Sequence, residues 1–326
     1  MSVEFPSRLF LANLPTRIEK LDMLTRSLGG PDIWIKRDDL TGCATSGNKI
    51  RKLEFSIADA LKKNADVIIT CGWLNSNHAR ATAIISAKMN LKSILLLHGE
   101  EPTNFQGNIF LNKLTGTEIR YLSADEYEKR HEIMCDIEEE LKREGKKGYS
   151  IPAGATNSIG IWGYINAARE IKNQTPDFDR IIVPVGTGGT YAGLFIGKKL
   201  FGLKAIISGV NVEEDKEYFI DRIGEIIEEW NGKFDNPINY SQDEIEIIDG
   251  YQGEGYSKFG EEEIEVIKRL AKSEGIILDP VYTGKAMRGL IDEIGKGNFH
   301  SEERILFIHT GGIFGLLSRT EEFGKL

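Results

Sequence analysis

Cysteine is scarce. The chain of 326 residues holds three, Cys43, Cys71 and Cys135, and they stand far apart. An odd number without close spacing argues against a disulfide framework or a CxxC metal or redox site, and suits a reducing cytoplasm. Of the five histidines, His98, His131, His300 and His309 show no ligand spacing, so no metal site is expected. Long apolar runs are missing: Ile94 to Leu97 is far too short to span a bilayer, and Met1 to Leu11 lacks a basic-then-apolar signal, so neither membrane embedding nor export is expected. Basic excess is missing too. With 41 basic against 50 acidic residues the net charge is −9, which argues against nucleic-acid and anionic-membrane binding but leaves room for a local basic pocket holding one small anion. Neither an internal repeat nor a low-complexity tract nor a Pro/Ser linker marks a boundary.

What the chain does have is length for about two domains, at roughly 150 residues each, and a recurrent pattern. Val67 to Ile69, Ile94 to Leu97, Ile119 to Leu122, Ile181 to Val185, Ile206 to Val212 and Ile305 to Ile308 are short apolar, β-rich runs. Runs without strict alternation read as strands buried on both faces, the signature of a parallel sheet. Between them lie amphipathic segments. In Glu132 to Leu141 the apolar residues Ile133, Ile137 and Leu141 recur every fourth position. In Glu261 to Glu274, Ile264, Ile267 and Leu270 form a stripe, acids fill the first turn and Gly275 stops the helix. The class is α/β. Asn231 to Gln242, polar and turn-rich, is expected to be a long surface loop.

Two segments carry chemistry. Ile35-Lys36-Arg37-Asp38-Asp39-Leu40-Thr41-Gly42 begins like a strand, and Ser46-Gly47-Asn48-Lys49-Ile50-Arg51-Lys52-Leu53-Glu54 turns into a helix. Lys49 then stands at a helix N-terminus, where anions are favoured and an ammonium is not. A solvated basic first turn is the plain alternative. Farther on, the strand Ile181 to Val185 is followed by Gly186-Thr187-Gly188-Gly189-Thr190-Tyr191-Ala192-Gly193 and the helical Leu194 to Leu200. A strand, a Gly/Thr turn and a helix start offer backbone N–H groups and hydroxyls to one phosphate. The loop lacks the lysine of a nucleotide-triphosphate loop, and Tyr191 stands where a dinucleotide fingerprint needs a small residue. A tight turn of purely structural use remains open.

Gly72-Trp73-Leu74-Asn75-Ser76-Asn77-His78-Ala79-Arg80 follows a strand, and its polar cluster sits where open α/β sheets place ligands. A substrate carboxylate site is expected there, although Ser76 or Asn77 alone could be a helix cap. Gly255-Tyr256 precedes the second amphipathic helix, Asp279-Pro280-Val281-Tyr282-Thr283-Gly284-Lys285-Ala286 follows it, and His309-Thr310-Gly311-Gly312 closes the strand Ile305 to Ile308.

Taken in order over residues 34 to 313, these segments resemble the fold type II pyridoxal-phosphate enzymes, like the tryptophan synthase β chain, and within them the family of D-cysteine desulfhydrase and 1-aminocyclopropane-1-carboxylate deaminase. The resemblance implies pyridoxal 5′-phosphate as cofactor, carried covalently by Lys49, with Lys52 meeting its phosphate and Gly186, Thr187, Gly188, Gly189 and Thr190 cradling it. It places Ser76 and Asn77 beside the substrate and the cofactor's phenolic oxygen, with His78 next to them. It implies that Tyr282 stacks on the pyridine face, that the Tyr256 phenol approaches the substrate, and that Thr310 lies near the pyridine nitrogen. Lys49, Ser76, Tyr256 and Tyr282 are the catalytic set; Ser76, Asn77, His78 and Tyr256 bind the substrate.

The resemblance also orders the reactions. Deaminases of the family carry Gln where His78 stands and Glu after the stacking tyrosine, where this chain has Thr283. β-Elimination from D-cysteine, giving pyruvate, sulfide and ammonia, is therefore the first expectation. Trp73-Leu74-Asn75 departs from the usual residues before Ser-Asn-His, which keeps 1-aminocyclopropane-1-carboxylate deamination and L-cysteate sulfo-lyase activity as alternatives. A non-catalytic protein binding the cofactor or a phosphometabolite is the alternative of another class. Two α/β domains with open, twisted, mostly parallel sheets are implied: a smaller one over residues 50–163 and a larger, discontinuous one over 1–49 and 164–326. A cytoplasmic homodimer acting on a small amino acid completes the expectation.

Overall fold

The computed structural model describes residues 3–174, 177–253, 255 and 257–324. Strands β1 (Ile18–Lys20), β2 (Asp32–Lys36), β3 (Val67–Trp73), β4 (Lys92–His98), β5 (Glu118–Leu122), β6 (Gly148–Ile151), β7 (Arg180–Val185), β8 (Ile206–Asn211), β9 (Glu246–Ile248) and β10 (Arg304–Ile308) form two sheets. The first has six strands in the order β1-β2-β10-β7-β8-β9, parallel throughout except for the antiparallel β1–β2 edge. The second has four, β5-β4-β3-β6, all parallel. Five of the six apolar runs singled out above lie within strands, and the sixth, Ile206 to Val212, outruns β8 by one residue. Their both-sided burial is the reason: β7 is buried from end to end, as is β3 up to Gly72. β1, β6 and β9 are short, half-buried pieces without such a run, which is why they escaped the reading.

Both sheets carry helices on their faces. The helix Asn48–Lys62 is wedged between the two sheet layers. Ile50, Leu53, Ile57 and Ala60, at helical spacing, pack with Ile68 and Ile151 of the four-stranded sheet, while Phe55 on the opposite side joins the core of the six-stranded one. Each such apolar side chain contributes roughly 1.5–3 kcal/mol through burial. The helices Trp162–Gln174 and Gly189–Phe201 lie close because Gly193 and Gly197 face Tyr164 and Ala168: a Cβ on either would come to 2.6 or 2.5 Å of those side chains. The helices Arg130–Arg143 and Glu261–Glu274 contain the two amphipathic segments.

Residues 232–241 have no regular element, as expected of a loop, yet the loop is pinned. The Asn231 amide brackets the Ile238 backbone, donating to its carbonyl at 3.1 Å and accepting from its N–H at 2.9 Å, and Ile238 is buried in the core. No helix among the described residues is long and apolar enough to cross a membrane.

Candidate active site

β3, β7 and β10 all end toward one cavity of about 710 Å³, and the segments after them line it. Lys49 enters from a fourth direction, as the second residue of the helix Asn48–Lys62. That helix start is brought in by Gly47. Its φ of +107° belongs to glycine, and a Cβ there would stand 2.7 Å from the Thr310 carbonyl oxygen. The next amide, Asn48 N–H, donates to that same oxygen at 3.0 Å. The lysine segment and the turn after β10, 261 residues apart, thus meet through their backbones.

Asn48 joins two further parts. Its side-chain oxygen accepts from Lys49 Nζ at 2.9 Å, and its amide nitrogen donates to Thr190 Oγ1 at 3.0 Å. The Lys49 ammonium also lies 5.9 Å from the centre of the Tyr282 ring. Burial lowers its pKa to about 8, against the opposing attraction of Asp279 and with help from Arg80. A neutral amine, the form that attacks carbonyls and takes up protons, is therefore accessible near pH 8.

Behind Lys49 lies a second lysine. Lys52 is fully buried, and its ammonium donates to the Gly154 carbonyl at 3.2 Å. Burial, then repulsion from Lys49, drives its pKa well below that of an ordinary lysine. A buried amine beside the half-buried one of Lys49, neither with a carboxylate at hydrogen-bond distance, calls for an anion. The space for one is at the start of the helix Gly189–Phe201, where a Cβ on Gly189 would come to 2.9 Å of Lys52 Nζ and 2.7 Å of Thr156 Oγ1. Thr156 and Thr187 share a hydrogen bond of 2.7 Å at the edge of this cradle. Backbone N–H groups at a helix start, two threonine hydroxyls and a buried ammonium fit a phosphate monoester. Pyridoxal 5′-phosphate matches both features: a phosphate for the cradle and an aldehyde for Lys49.

The polar segment after β3 forms another wall. Ser76 Oγ accepts from the Ala79 amide at 3.1 Å and caps the helix Asn77–Lys88, so the cap reading holds for this serine, which also lines the cavity. Asn77 Oδ1 accepts from Asn108 at 3.0 Å. His78 is buried, with Nε2 at 2.8 Å from Thr70 Oγ1, and the Thr70 hydroxyl donates to the Ile151 carbonyl at 2.6 Å. Thr70 has one proton and spends it on that carbonyl, so His78 donates from Nε2. Burial, then the charges of Lys49 and Lys52, keep the imidazole neutral by pushing its pKa well below the usual range.

Tyr282 faces the glycine loop: a Cβ on Gly186 would be 3.0 Å from its Cε1. Thr310 lines the cavity as well. Thr283 does not. It is fully buried, and its hydroxyl donates to Asp279 Oδ1 at 2.7 Å. Of the residues singled out from sequence, Lys49, Ser76, Asn77, His78, Gly186, Thr187, Gly188, Thr190, Tyr282 and Thr310 line this one cavity. Gly189 and Lys52 stand just behind the cradle, and Tyr256 lies outside the described residues. Sequence reasoning missed Thr156, on a loop whose only signal is the turn Pro152-Ala153-Gly154, and Asn48, whose bridging role is invisible before the glycine loop is placed beside it. Among the described residues no group of three or more His, Cys, Asp or Glu side chains could hold a metal.

Comparison with known proteins agrees with this chemistry. A family model described as "Pyridoxal-phosphate dependent enzyme" matches residues 9–311. The bifunctional D-cysteine desulfhydrase/1-aminocyclopropane-1-carboxylate deaminase, mitochondrial, of Arabidopsis thaliana is 42% identical over 98% of this chain and 82% of its own length. A putative 1-aminocyclopropane-1-carboxylate deaminase of Thermotoga maritima is 43% identical over 96% of this chain and 98% of its own. Among solved structures, that of an ACC deaminase homologue superposes with a TM-score of 0.91 at 40% identity, covering 98% of this chain and 96% of the other.

Proposed function

Because the chain belongs to the pyridoxal-phosphate-dependent enzyme family, in the branch of D-cysteine desulfhydrase and 1-aminocyclopropane-1-carboxylate deaminase, we propose that it eliminates the β-substituent of a small amino acid, with D-cysteine as the preferred substrate. The observation that carries the proposal is the setting of Lys49: a half-buried amine with its pKa near 8, bridged by Asn48 to the glycine loop and facing Tyr282. Bound here, the coenzyme supplies the electron sink for a carbanion. Its phosphate would be held by Lys52, Thr187, Thr190 and the backbone of Gly186 to Gly189.

The chain's own residues then have distinct tasks. The N-terminus of the helix Asn77–Lys88, with Ser76 and Asn77, receives the substrate carboxylate. Lys49 would hold the coenzyme and, as a free amine, take the α-proton. Tyr282 keeps the reacting plane in place, and Tyr256 completes the catalytic set. Carbon–sulfur cleavage then releases sulfide, and hydrolysis yields pyruvate and ammonia. D-Cysteine is favoured over the cyclopropane substrate because Thr283 offers no carboxylate and its hydroxyl is committed to Asp279. Thr310, which lines the cavity, would be the group to meet the pyridine nitrogen, and a hydroxyl there would support a weaker electron sink than a carboxylate, enough to expel a good leaving group. The deaminase reading remains the second one, since the relatives carry that name as well; L-cysteate is the third substrate. In the same reading residues 50–163 form the smaller domain, 1–49 and 164–326 the larger one, and the enzyme is a cytoplasmic homodimer.

Parallel assays test this. Sulfide and pyruvate should form from D-cysteine faster than from L-cysteine, and faster than ketobutyrate forms from 1-aminocyclopropane-1-carboxylate. A higher kcat/KM on the cyclopropane would overturn the substrate assignment. Loss of all turnover with the coenzyme attached would favour a binding protein.

A further inference from the structure

We propose that Arg80 is a positioning residue for this site: its guanidinium fastens the wall carrying Ser76 and Asn77 to the lysine segment, and so sets where the substrate carboxylate lies relative to Lys49. The inference rests on the reading of that wall as the carboxylate site. Arg80 stands one turn into the helix Asn77–Lys88, with its amide donating to the Ser76 carbonyl at 3.2 Å. It is 0% exposed. Its Nη2 donates to the Ser46 carbonyl at 2.6 Å, and its guanidinium carbon lies 4.8 Å from the centre of the Phe314 ring. Ser46 precedes Gly47, and Phe314 belongs to the helix Ile313–Leu317, which follows the turn Thr310-Gly311-Gly312. One buried side chain thus touches the substrate wall, the lysine segment and the helix after β10. On its other side the same wall is tied to the helix Gly107–Leu114, where Asn108 donates to Asn77 Oδ1 at 3.0 Å and to the Asn75 carbonyl at 2.6 Å. Arg80, by contrast, reaches across the proposed domain boundary.

Stability alone does not account for this side chain. Among the described residues no carboxylate pairs with Arg80, and its Nε and Nη1 are buried without a hydrogen bond. Burial lowers its pKa to about 10. A charge held in this way costs folding free energy, and an apolar side chain of similar length would occupy the same place at lower cost. Such a side chain could not hold the Ser46 carbonyl. That bond spans 34 positions of sequence and joins the start of the substrate-wall helix to the residue from which the chain turns into Gly47, Asn48 and Lys49. Its loss would let the two walls shift against each other while each kept its own packing.

The test uses the full-length, coenzyme-saturated protein and D-alanine, which has no β-leaving group and whose binding is read from the change it makes in the coenzyme's visible absorbance. D-Alaninol, with the amine but no carboxylate, is the control. Arg80→Met should weaken D-alanine by about tenfold and D-alaninol by less than about twofold, the loss expected when a binding group is held out of place. The Tm of the coenzyme-free variant should not fall. Equal weakening of the two ligands together with a lower Tm marks a structural role and overturns the proposal, as does unchanged binding of D-alanine. If Arg80→Met does not fold, Arg80→Gln is titrated with both ligands and read in the same way. Arg80→Lys, whose ammonium can still donate to a carbonyl, should recover part of the D-alanine affinity. Wild-type protein that binds D-alanine no better than D-alaninol would overturn the carboxylate wall itself and the inference with it, a result visible before any substitution is made.

Discussion

The amide of Asn48 donates to the carbonyl of Thr310 at 3.0 Å, and the residue before it, Gly47, is the one that lets the two backbones meet. This contact fixes the helix bearing Lys49 to the six-stranded sheet at the end of β10. Gly47→Ala should therefore damage the site before it damages the fold. A side chain at φ +107° is strained by about 1–3 kcal/mol, and the clash with Thr310 adds to that. Calorimetry should report a lower Tm, and coenzyme occupancy measured by absorbance should fall by more than the loss of folded protein accounts for.

Lys52 should act on coenzyme affinity. Lys52→Met removes the cradle's buried amine, and the dissociation constant for pyridoxal phosphate should rise by about one to two orders of magnitude, on a value of roughly 1.5–3 kcal/mol for a charged hydrogen bond. Equilibrium titration of coenzyme-free protein with coenzyme checks the effect.

Coenzyme loading should follow the state of the Lys49 amine. With a pKa near 8, lowered by burial, about one-tenth is neutral at pH 7 and about nine-tenths at pH 9. The second-order rate of loading onto coenzyme-free protein should climb through that interval and level off above it. Stopped-flow absorbance gives the profile; a rate still rising tenfold per unit above pH 9 would mean that burial does not lower the amine.

A buried ion network holds the same helix from its other side. Arg51 bonds Asp38 at 2.7 Å and Glu170 at 2.9 Å, Lys36 bonds Glu170 at 2.6 Å, and Tyr164 donates to Asp38 at 2.5 Å. Burial pushes both carboxyls up, but Arg51 and Lys36 outweigh it and hold them below their usual values. A carboxylate whose folded pKa is depressed adds stability above its unfolded value, near 4, and that stability is lost as pH falls through the folded one. Glu170→Ala should cost about 3–5 kcal/mol at pH 7 by removing the carboxylate that Arg51 and Lys36 share, which leaves Lys36 without an ion-pair partner. The loss should shrink as pH falls below 4, which urea unfolding across pH 3 to 7 would show.

Much of the site was legible in sequence because its parts are local. The lysine segment, the glycine loop and the polar segment after β3 each follow a strand and open a helix, and strand-turn-helix is a short-range signal. What escaped depends on distant packing. Asp279 looks like one acid beside a proline until the turn at Gly312 is laid against it. The place of Thr283 after Tyr282 gives no sign that its hydroxyl is drawn inward to the Asp279 carboxylate. The fold shows the same division: long buried strands announce themselves, whereas β9, three residues paired to β8, is specified by its neighbour.

The central claim is tested most directly by reducing the coenzyme-saturated protein with borohydride and mapping the modified peptide by mass spectrometry. One pyridoxyl-phosphate group per chain, on Lys49, is the predicted result. An unmodified Lys49, or a group fixed on Lys52 instead, would contradict it.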